Sequence, residues 1–186
     1  MKTAVAVLAV CVAVAAGSVR VLGQAGQPPK PGPENKRLGY FVGKWTTEGE
    51  MKPGPMGPGG KISSTDTCAW FDGGFAVVCH SVGKTPMGPS KSIGILGYSG
   101  EEKVYTYVGL DNSNMSMTSV PHGTLNGDTW TYTDESLMGG QKVKSRVTIK
   151  ELSPTAYTFK MEMQGKDGAW APIMEAKSTK EAAAKK

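Results

Sequence analysis

The sequence has few of the side chains on which most enzyme and metal sites are built. Its 186 residues include only two histidines and three cysteines. Neither His80 nor His122 lies in a nucleophile elbow, a zinc-binding pattern or a motif that pairs it with a carboxylate. Asp66, Asp111 and Asp128 are isolated acids near the ends of predicted strands. We therefore expect a protein without catalytic residues, and with no cofactor and no bound metal.

A strong excess of one charge is also missing. The formal net charge is +5, and it falls to +3 when Lys2 and Arg20 are removed with the amino-terminal segment described next. The remaining lysines are spread along the chain. A nucleic-acid-binding protein usually carries a basic stripe interleaved with aromatic residues, and the sequence has none. We therefore expect no nucleic acid among the partners.

Long hydrophobic runs are absent except at the amino terminus. There, Lys2 precedes an apolar run over residues 3–17, and small residues suited to signal-peptidase cleavage follow it. This pattern predicts a signal peptide at 1–23, cleaved after Gly23 or else after Ala25. The run is too short and too poor in large side chains for a membrane span. We expect an exported protein, periplasmic or secreted, with no membrane span in its mature form.

The rest of the chain has the length of one domain with a real core. Residues 24–34 are rich in proline and glycine, which predicts a flexible linker. Residues 35–178 form the predicted β-barrel domain, and 179–186 form a polar tail with helical propensity.

Alternation of apolar and polar residues is the main structural signal between these ends. Trp45, Thr47, Gly49 and Met51 alternate with polar neighbours, and the later strands show the same pattern. Connections too short for crossover helices make neighbouring strands antiparallel, and closure of the meander removes its exposed edges. We predict an all-β fold, a single closed antiparallel up-and-down β-barrel of about ten strands, preceded by a short helix over 35–42. The predicted strands are 44–51, 61–71, 75–83, 92–98, 103–110, 115–120, 128–134, 141–152, 156–164 and 169–178.

The predicted connections differ between the two ends of the barrel. Those after the even-numbered strands are tight turns, whereas most of those after the odd-numbered strands are longer, over 52–60, 85–91, 111–114 and 135–140. Two of the longer loops share the sequence Pro-Met-Gly-Pro, at 55–58 and 86–89. We therefore predict one pinched end and one open end.

Methionines and inward-facing apolar residues suggest a ligand. Flexible thioethers suit an adaptable apolar site, so one hypothesis is a small apolar or amphipathic molecule bound in the barrel. The other is that methionine only fills irregular packing at the barrel ends. The candidate ligand-binding residues are Met51, Met115, Met117, Phe159, Met161 and Met163.

Three alternatives stay open. Met115 with Met117, and Met161 with Met163, each put two soft sulfur atoms on one strand face, an arrangement that suits Cu(I). A histidine on a strand can ligate haem iron in some barrels. An enzyme of unknown type is the third alternative. The oligomeric state is not predicted.

Cys68 and Cys79 are predicted to form a disulfide. If residues 72–75 form the loop of a hairpin, counting outward along its two strands places the two cysteines directly opposite each other. An oxidising export compartment favours the bridge.

Several motifs together resemble a known family. These are Phe41-Val42-Gly43-Lys44-Trp45, the hairpin over 69–78, and the pair of segments 94–98 and 105–111. They are similar to a bacterial exported family of unknown function with a calycin-like, lipocalin-like barrel. The resemblance implies a closed antiparallel barrel and brings no catalytic residues. Gly43-x-Trp45 is how such barrels commonly begin. Counting the loops from this first strand puts Trp45 near the tight end, so we predict that it closes the barrel floor, away from the open end. No arginine here matches the one that packs on this tryptophan in many lipocalins.

Overall fold

The computed structural model describes residues 29–112, 119–138 and 140–182. The predicted signal peptide, and Met115 and Met117, lie outside these residues. A short helix, α1, spans Pro33–Arg37 and continues into a 3₁₀ turn at Leu38–Phe41. Ten strands follow: β1 Gly43–Met51, β2 Gly60–Trp70, β3 Val77–Thr85, β4 Gly88–Ser99, β5 Val104–Asp111, β6 His122–Asn126, β7 Thr129–Met138, β8 Gln141–Ser153, β9 Ala156–Gln164 and β10 Trp170–Lys180.

The strands form a closed antiparallel barrel in which each strand pairs with its neighbours in the chain and β1 pairs with β10. The closing register runs from Trp45 opposite Lys180 to Met51 opposite Met174. Closure leaves the sheet without a free first or last strand, which removes the edges that invite aggregation. The predicted fold class and the short amino-terminal helix are confirmed.

The position of the sixth strand differs most from the prediction. The sequence predicted it over 115–120, with His122 in a turn, whereas His122 begins β6. The turn that fixes this strand is Gly127-Asp128, where Gly127 has a φ of +60° and lets the chain reverse tightly into β7. Pro121 suggested a turn, but proline is also compatible with the position just before a strand.

Two of the connections predicted to be long are tight hairpins. Only Pro86 and Met87 separate β3 from β4, and only residues 139 and 140 separate β7 from β8. Positive φ angles at Gly88 and Gly140, of +120° and +78°, accommodate these reversals. The strands therefore extend further than their alternation suggested. The two Pro-Met-Gly-Pro turns nevertheless lie together, since a Cβ placed on Gly57 would stand 3.0 Å from Met87 Sδ.

The end of the barrel next to α1 is closed by a packed core. Leu38, Phe41 and Trp45 are at most 5% exposed and belong to one cluster with inward-facing residues of five further strands. The Trp45 indole donates to the Phe41 carbonyl at 2.7 Å and stacks on Tyr157, with ring centroids 4.9 Å apart. A cation does cover this tryptophan, because Lys180 Nζ lies 4.7 Å from the Trp45 ring centroid.

The disulfide joins neighbouring strands of this closed end. Cys68 on β2 and Cys79 on β3 are directly opposite each other and are bonded, with their Cα atoms 4.0 Å apart. This is the register that the hairpin count predicted.

Candidate functional site

The interior of the barrel is tightly packed at the floor and less tightly packed at mid-height. Inward-facing Trp45, Val77 and Trp130 are at most 1% exposed. Further along the same walls, inward-facing Asp66 and Ser81 are only partly buried. The interior around these two inward-facing residues is therefore less tightly packed than the floor, and this is the space that we consider as a candidate site. Further from the floor, inward-facing Met51 and Met163 are again buried, at 2% and 8% exposed.

A set of polar side chains surrounds this space at mid-height. Asp66 on β2 accepts hydrogen bonds from Thr47 Oγ1 at 3.2 Å and from Ser64 Oγ at 3.1 Å. Thr47 Oγ1 also lies 2.7 Å from Ser178 Oγ across the β1–β10 closure. The hydroxyls hold the carboxylate in place without neutralising it, because in the described structure no cationic side chain pairs with Asp66.

Tyrosines complete this set. Burial raises the pKa of Tyr157 to about 12, although hydrogen bonds to Ser178 and Thr47 act in the opposite direction. Burial, together with the nearby carboxylates of Asp66 and Asp111, raises the pKa of Tyr107. Both phenols therefore stay protonated at neutral pH and can donate or accept hydrogen bonds.

Tyr132 differs from the other tyrosines because its hydroxyl has no partner in the part of the chain that the structure describes. The residue is 4% exposed and faces inward, opposite Gly123 and Val147. Burial, and then the phenols of Tyr105 and Tyr107, raise its pKa. A buried hydroxyl without a partner is costly, so this atom has unused hydrogen-bonding capacity next to the interior. We call the whole set the polar belt; it comprises Thr47, Ser64, Asp66, Tyr107, Tyr132, Tyr157 and Ser178.

Apolar side chains line the interior beyond the polar belt, away from the floor. Met51, Met174 and Met161 are directly opposite one another on β1, β10 and β9. Met163 and Phe159 face inward on β9, opposite Ser145 and Ile149. Four of the six candidate ligand-binding residues thus share the interior face, namely Met51, Phe159, Met161 and Met163, and the other two lie outside the described residues.

Sequence reasoning missed the polar belt and Met174. Asp66 is in the middle of β2 and not near a strand end, so that expectation is wrong. Counting in steps of two from Cys68 would have placed Asp66 and Ser64 on the inward face. The same count from Ser178 gives Met174, although a register shift between Pro172 and Met174 ends the regular alternation there.

Neither histidine faces the interior. His80 is exposed on the outer face of β3, and His122 Nε2 lies 3.8 Å from the Glu102 carboxylate at the surface. Neither is therefore placed to ligate a haem held inside the barrel. Over the described residues, no group of three His, Cys, Asp or Glu side chains is arranged to hold a metal ion.

An ion-pair cluster lies on the outer wall near one rim. Arg146 donates to Glu162 Oε2 at 2.7 Å and stacks on Trp170 at 4.4 Å, and Lys160 also pairs with Glu162. Each charged group of this cluster has a partner of opposite charge, and Glu162 is shared by the two bases.

Two surface depressions of about 460 Å³ each are open to solvent. One lies beside Asp134 and Trp170, and the other lies beside α1 and Trp70. Neither depression contains the polar belt. We therefore take the barrel interior as the candidate site.

Comparison with known proteins agrees with this architecture. A family model described as "Protein of unknown function (DUF1579)" matches residues 30–180. The chain belongs to the DUF1579 family. No curated protein matches the sequence. In the described residues there is no helix long and apolar enough to cross a membrane.

Solved structures share the DUF1579 barrel at low sequence identity. Rv2717c from M. tuberculosis is similar with a TM-score of 0.57 and 12% identity, over 82% of this chain and 100% of that chain. An S-type phycobiliprotein lyase, CPES from Guillardia theta, is similar with a TM-score of 0.54 and 12% identity, over 81% of this chain and 93% of that chain. Likeness at such identity concerns the fold alone.

Proposed function

We propose that this protein is a non-catalytic, exported barrel that binds a small amphipathic molecule in its interior. The observation that carries the proposal is the partial exposure of inward-facing Asp66 and Ser81 above a floor that is packed solid. A barrel that served only as a structural module would gain stability from filling this space with apolar side chains.

The lining of the interior supports an amphipathic ligand. The polar belt offers hydrogen-bonding groups at mid-height, and the thioethers of Met51, Met161 and Met174 offer flexible apolar contacts beyond it. A ligand would then lie with its polar group towards the floor and its apolar part among the methionines. Binding sites of small molecules commonly combine an apolar lining with a few placed polar groups.

Native mass spectrometry of the protein purified from its own host tests this function. We expect a stoichiometric mass above that of the bare chain. A Ser81→Phe variant, which puts a large ring inside the barrel, should lose the added mass. The matched control is Val82→Phe on the next, outward-facing position, which is 58% exposed and should keep it. A mass equal to that of the bare chain would contradict the function. An added mass that Ser81→Phe keeps as fully as Val82→Phe would contradict binding in the barrel interior.

Copper is the second candidate, since Met51, Met174 and Met161 face one another across three adjacent strands. Thioethers are soft ligands that suit Cu(I). A stoichiometric copper mass under reducing conditions, lost in Met161→Leu and Met174→Leu, would favour this candidate. Binding of copper unchanged by these substitutions would exclude the methionine site.

The export part of the proposal rests on the apolar amino-terminal run and on the disulfide, which is expected to persist in oxidising compartments. Mass analysis of the mature protein should give an amino terminus at Gln24 or Gly26. An intact Met1 and free thiols on Cys68 and Cys79 would contradict export.

A further inference from the structure

The charges on the two faces of the barrel wall have opposite signs. Strand positions that face outward carry many lysines, among them Lys61 on β2, Lys84 on β3 and Lys91 on β4, all of them exposed. Inward-facing positions carry Asp66 on β2 and Asp134 on β7, which is opposite inward-facing Ser145. A protein with a positive net charge therefore encloses a negative interior.

Among the inward-facing strand positions that the structure describes, the basic residue is Lys180. Its Nζ donates to the Tyr40 carbonyl at 3.1 Å and lies over the Trp45 ring, at the floor. Lys180 on β10 and Asp66 on β2 are both opposite Trp45, but these contacts hold the Lys180 ammonium against Tyr40 and the Trp45 ring at the floor. Over residues 29–112, 119–138 and 140–182, the donors to the Asp66 carboxylate are the neutral hydroxyls of Thr47 and Ser64.

Tyrosine side chains lie near the Asp66 carboxylate. Tyr107 faces inward opposite Leu96, and it is close enough to Asp66 for that carboxylate to raise its pKa. Tyr157 faces inward opposite Ser178, whose hydroxyl lies 2.7 Å from Thr47 Oγ1, a donor to Asp66. Phenol rings attract cations through their faces.

We propose that the polar group of the ligand is a cation, an aliphatic amine protonated at neutral pH, whose ammonium donates to Asp66. The inference rests on the proposed function and specifies its ligand class. An anionic head group such as a carboxylate would meet repulsion from Asp66, and the Lys180 ammonium is already engaged with the Tyr40 carbonyl and the Trp45 ring. A neutral head group would leave Asp66 without a charged partner. The negative interior favours entry of a cation through the mouth.

Three probes with the same apolar tail but different head-group charge test the contribution of the charge to affinity. They are octylammonium, 1-octanol and octanoate. Each is titrated into the oxidised mature protein by calorimetry, below its micelle concentration. We expect octylammonium to bind at least about tenfold more tightly than octanol, and octanoate to bind most weakly. Asp66→Asn should remove the preference for octylammonium and leave octanol binding unchanged. Retained octanol binding also reports that this variant is folded and that its interior is intact.

The matched control is Glu48→Gln, which makes the same change of charge on the exposed outer face of β1 and should leave all three affinities unchanged. Octanol binding with no preference for octylammonium, or equal losses in Glu48→Gln and Asp66→Asn, would overturn the cationic ligand while leaving the proposed function standing. Absence of binding by all three probes would overturn the proposed function itself.

Discussion

Arg37 and Glu151 meet beneath the barrel, with the Arg37 guanidinium donating to both carboxylate oxygens of Glu151 at 2.6 Å. Glu151 also accepts from the Trp130 indole at 2.6 Å. This contact fastens the amino-terminal helix, which precedes β1, to a strand near the other end of the chain. The Glu151 carboxylate thus ties the floor to the barrel wall, in addition to the packed core cluster there.

Replacing that carboxylate should loosen the floor. Glu151 is 13% exposed and Arg37 is 34% exposed, so solvent screens their interaction only in part. We expect Glu151→Gln to lower the free energy of unfolding by about 1–3 kcal/mol, measured by urea denaturation. The control is Glu135→Gln, which breaks the exposed pair with Lys142 and should change stability little. Equal losses in the two variants would contradict a special role for the floor contact.

The unpartnered hydroxyl of Tyr132 predicts an unusual stabilising substitution. Tyr132→Phe removes a buried donor that the described chain leaves without a partner, so the ligand-free protein should become more stable by about 1 kcal/mol. Tyr157→Phe makes the same chemical change where the hydroxyl is bonded to Ser178 and Thr47, and it should cost about 1 kcal/mol. Thermal and urea unfolding of both variants give the two signs. A loss in Tyr132→Phe as large as that in Tyr157→Phe would show that Tyr132 has a partner after all.

The sequence predicted the barrel and its floor better than the site. Alternation along β1 and the hairpin count around Cys68 depend on local geometry, so both were readable without tertiary information. Asp66 was missed because an acidic side chain inside a barrel is rare, and its inward direction is meaningful only once the neighbouring hydroxyls of Thr47 and Ser64 are known. Met174 was missed although counting in steps of two from Ser178 reaches it before the register shift between Pro172 and Met174.

Two of the loops that the sequence predicted to be long are short turns. Glycines with positive φ, such as Gly88, let a two-residue turn replace a loop that composition suggested was long. Prolines and glycines indicate that the chain turns, but the register of the flanking strands decides how many residues the turn takes. That register depends on pairing across the sheet and is not local.

Alkaline titration should separate the buried tyrosines from the rest. Burial raises the pKa of Tyr40 and Tyr157 to about 12, from an ordinary value of 10.0. Between these values the unfolded chain loses the phenol protons and the folded chain keeps them. The stabilisation is therefore complete below pH 10 and falls as pH rises towards 12. The near-ultraviolet absorbance of tyrosinate should show late-titrating phenols in the folded protein, and one fewer in Tyr157→Phe. In urea all six tyrosines should titrate together near 10; the same single transition in the folded protein would contradict the burial of Tyr157.

The disulfide should contribute to stability mainly by lowering the conformational entropy of the unfolded chain. Cys68 and Cys79 are 11 residues apart, and closing a loop of this length lowers the entropy of the unfolded state by an amount equivalent to about 2–3 kcal/mol. We expect a Cys68→Ser and Cys79→Ser double variant to lose that much free energy of unfolding in urea. Because the bridge joins adjacent strands at the floor, circular dichroism of the folded variant should keep its β-sheet signal. Adding a reductant should destabilise the parent protein by the same amount and leave the double variant unchanged. A parent whose stability is insensitive to reductant would show that the pair does not form a bridge in solution.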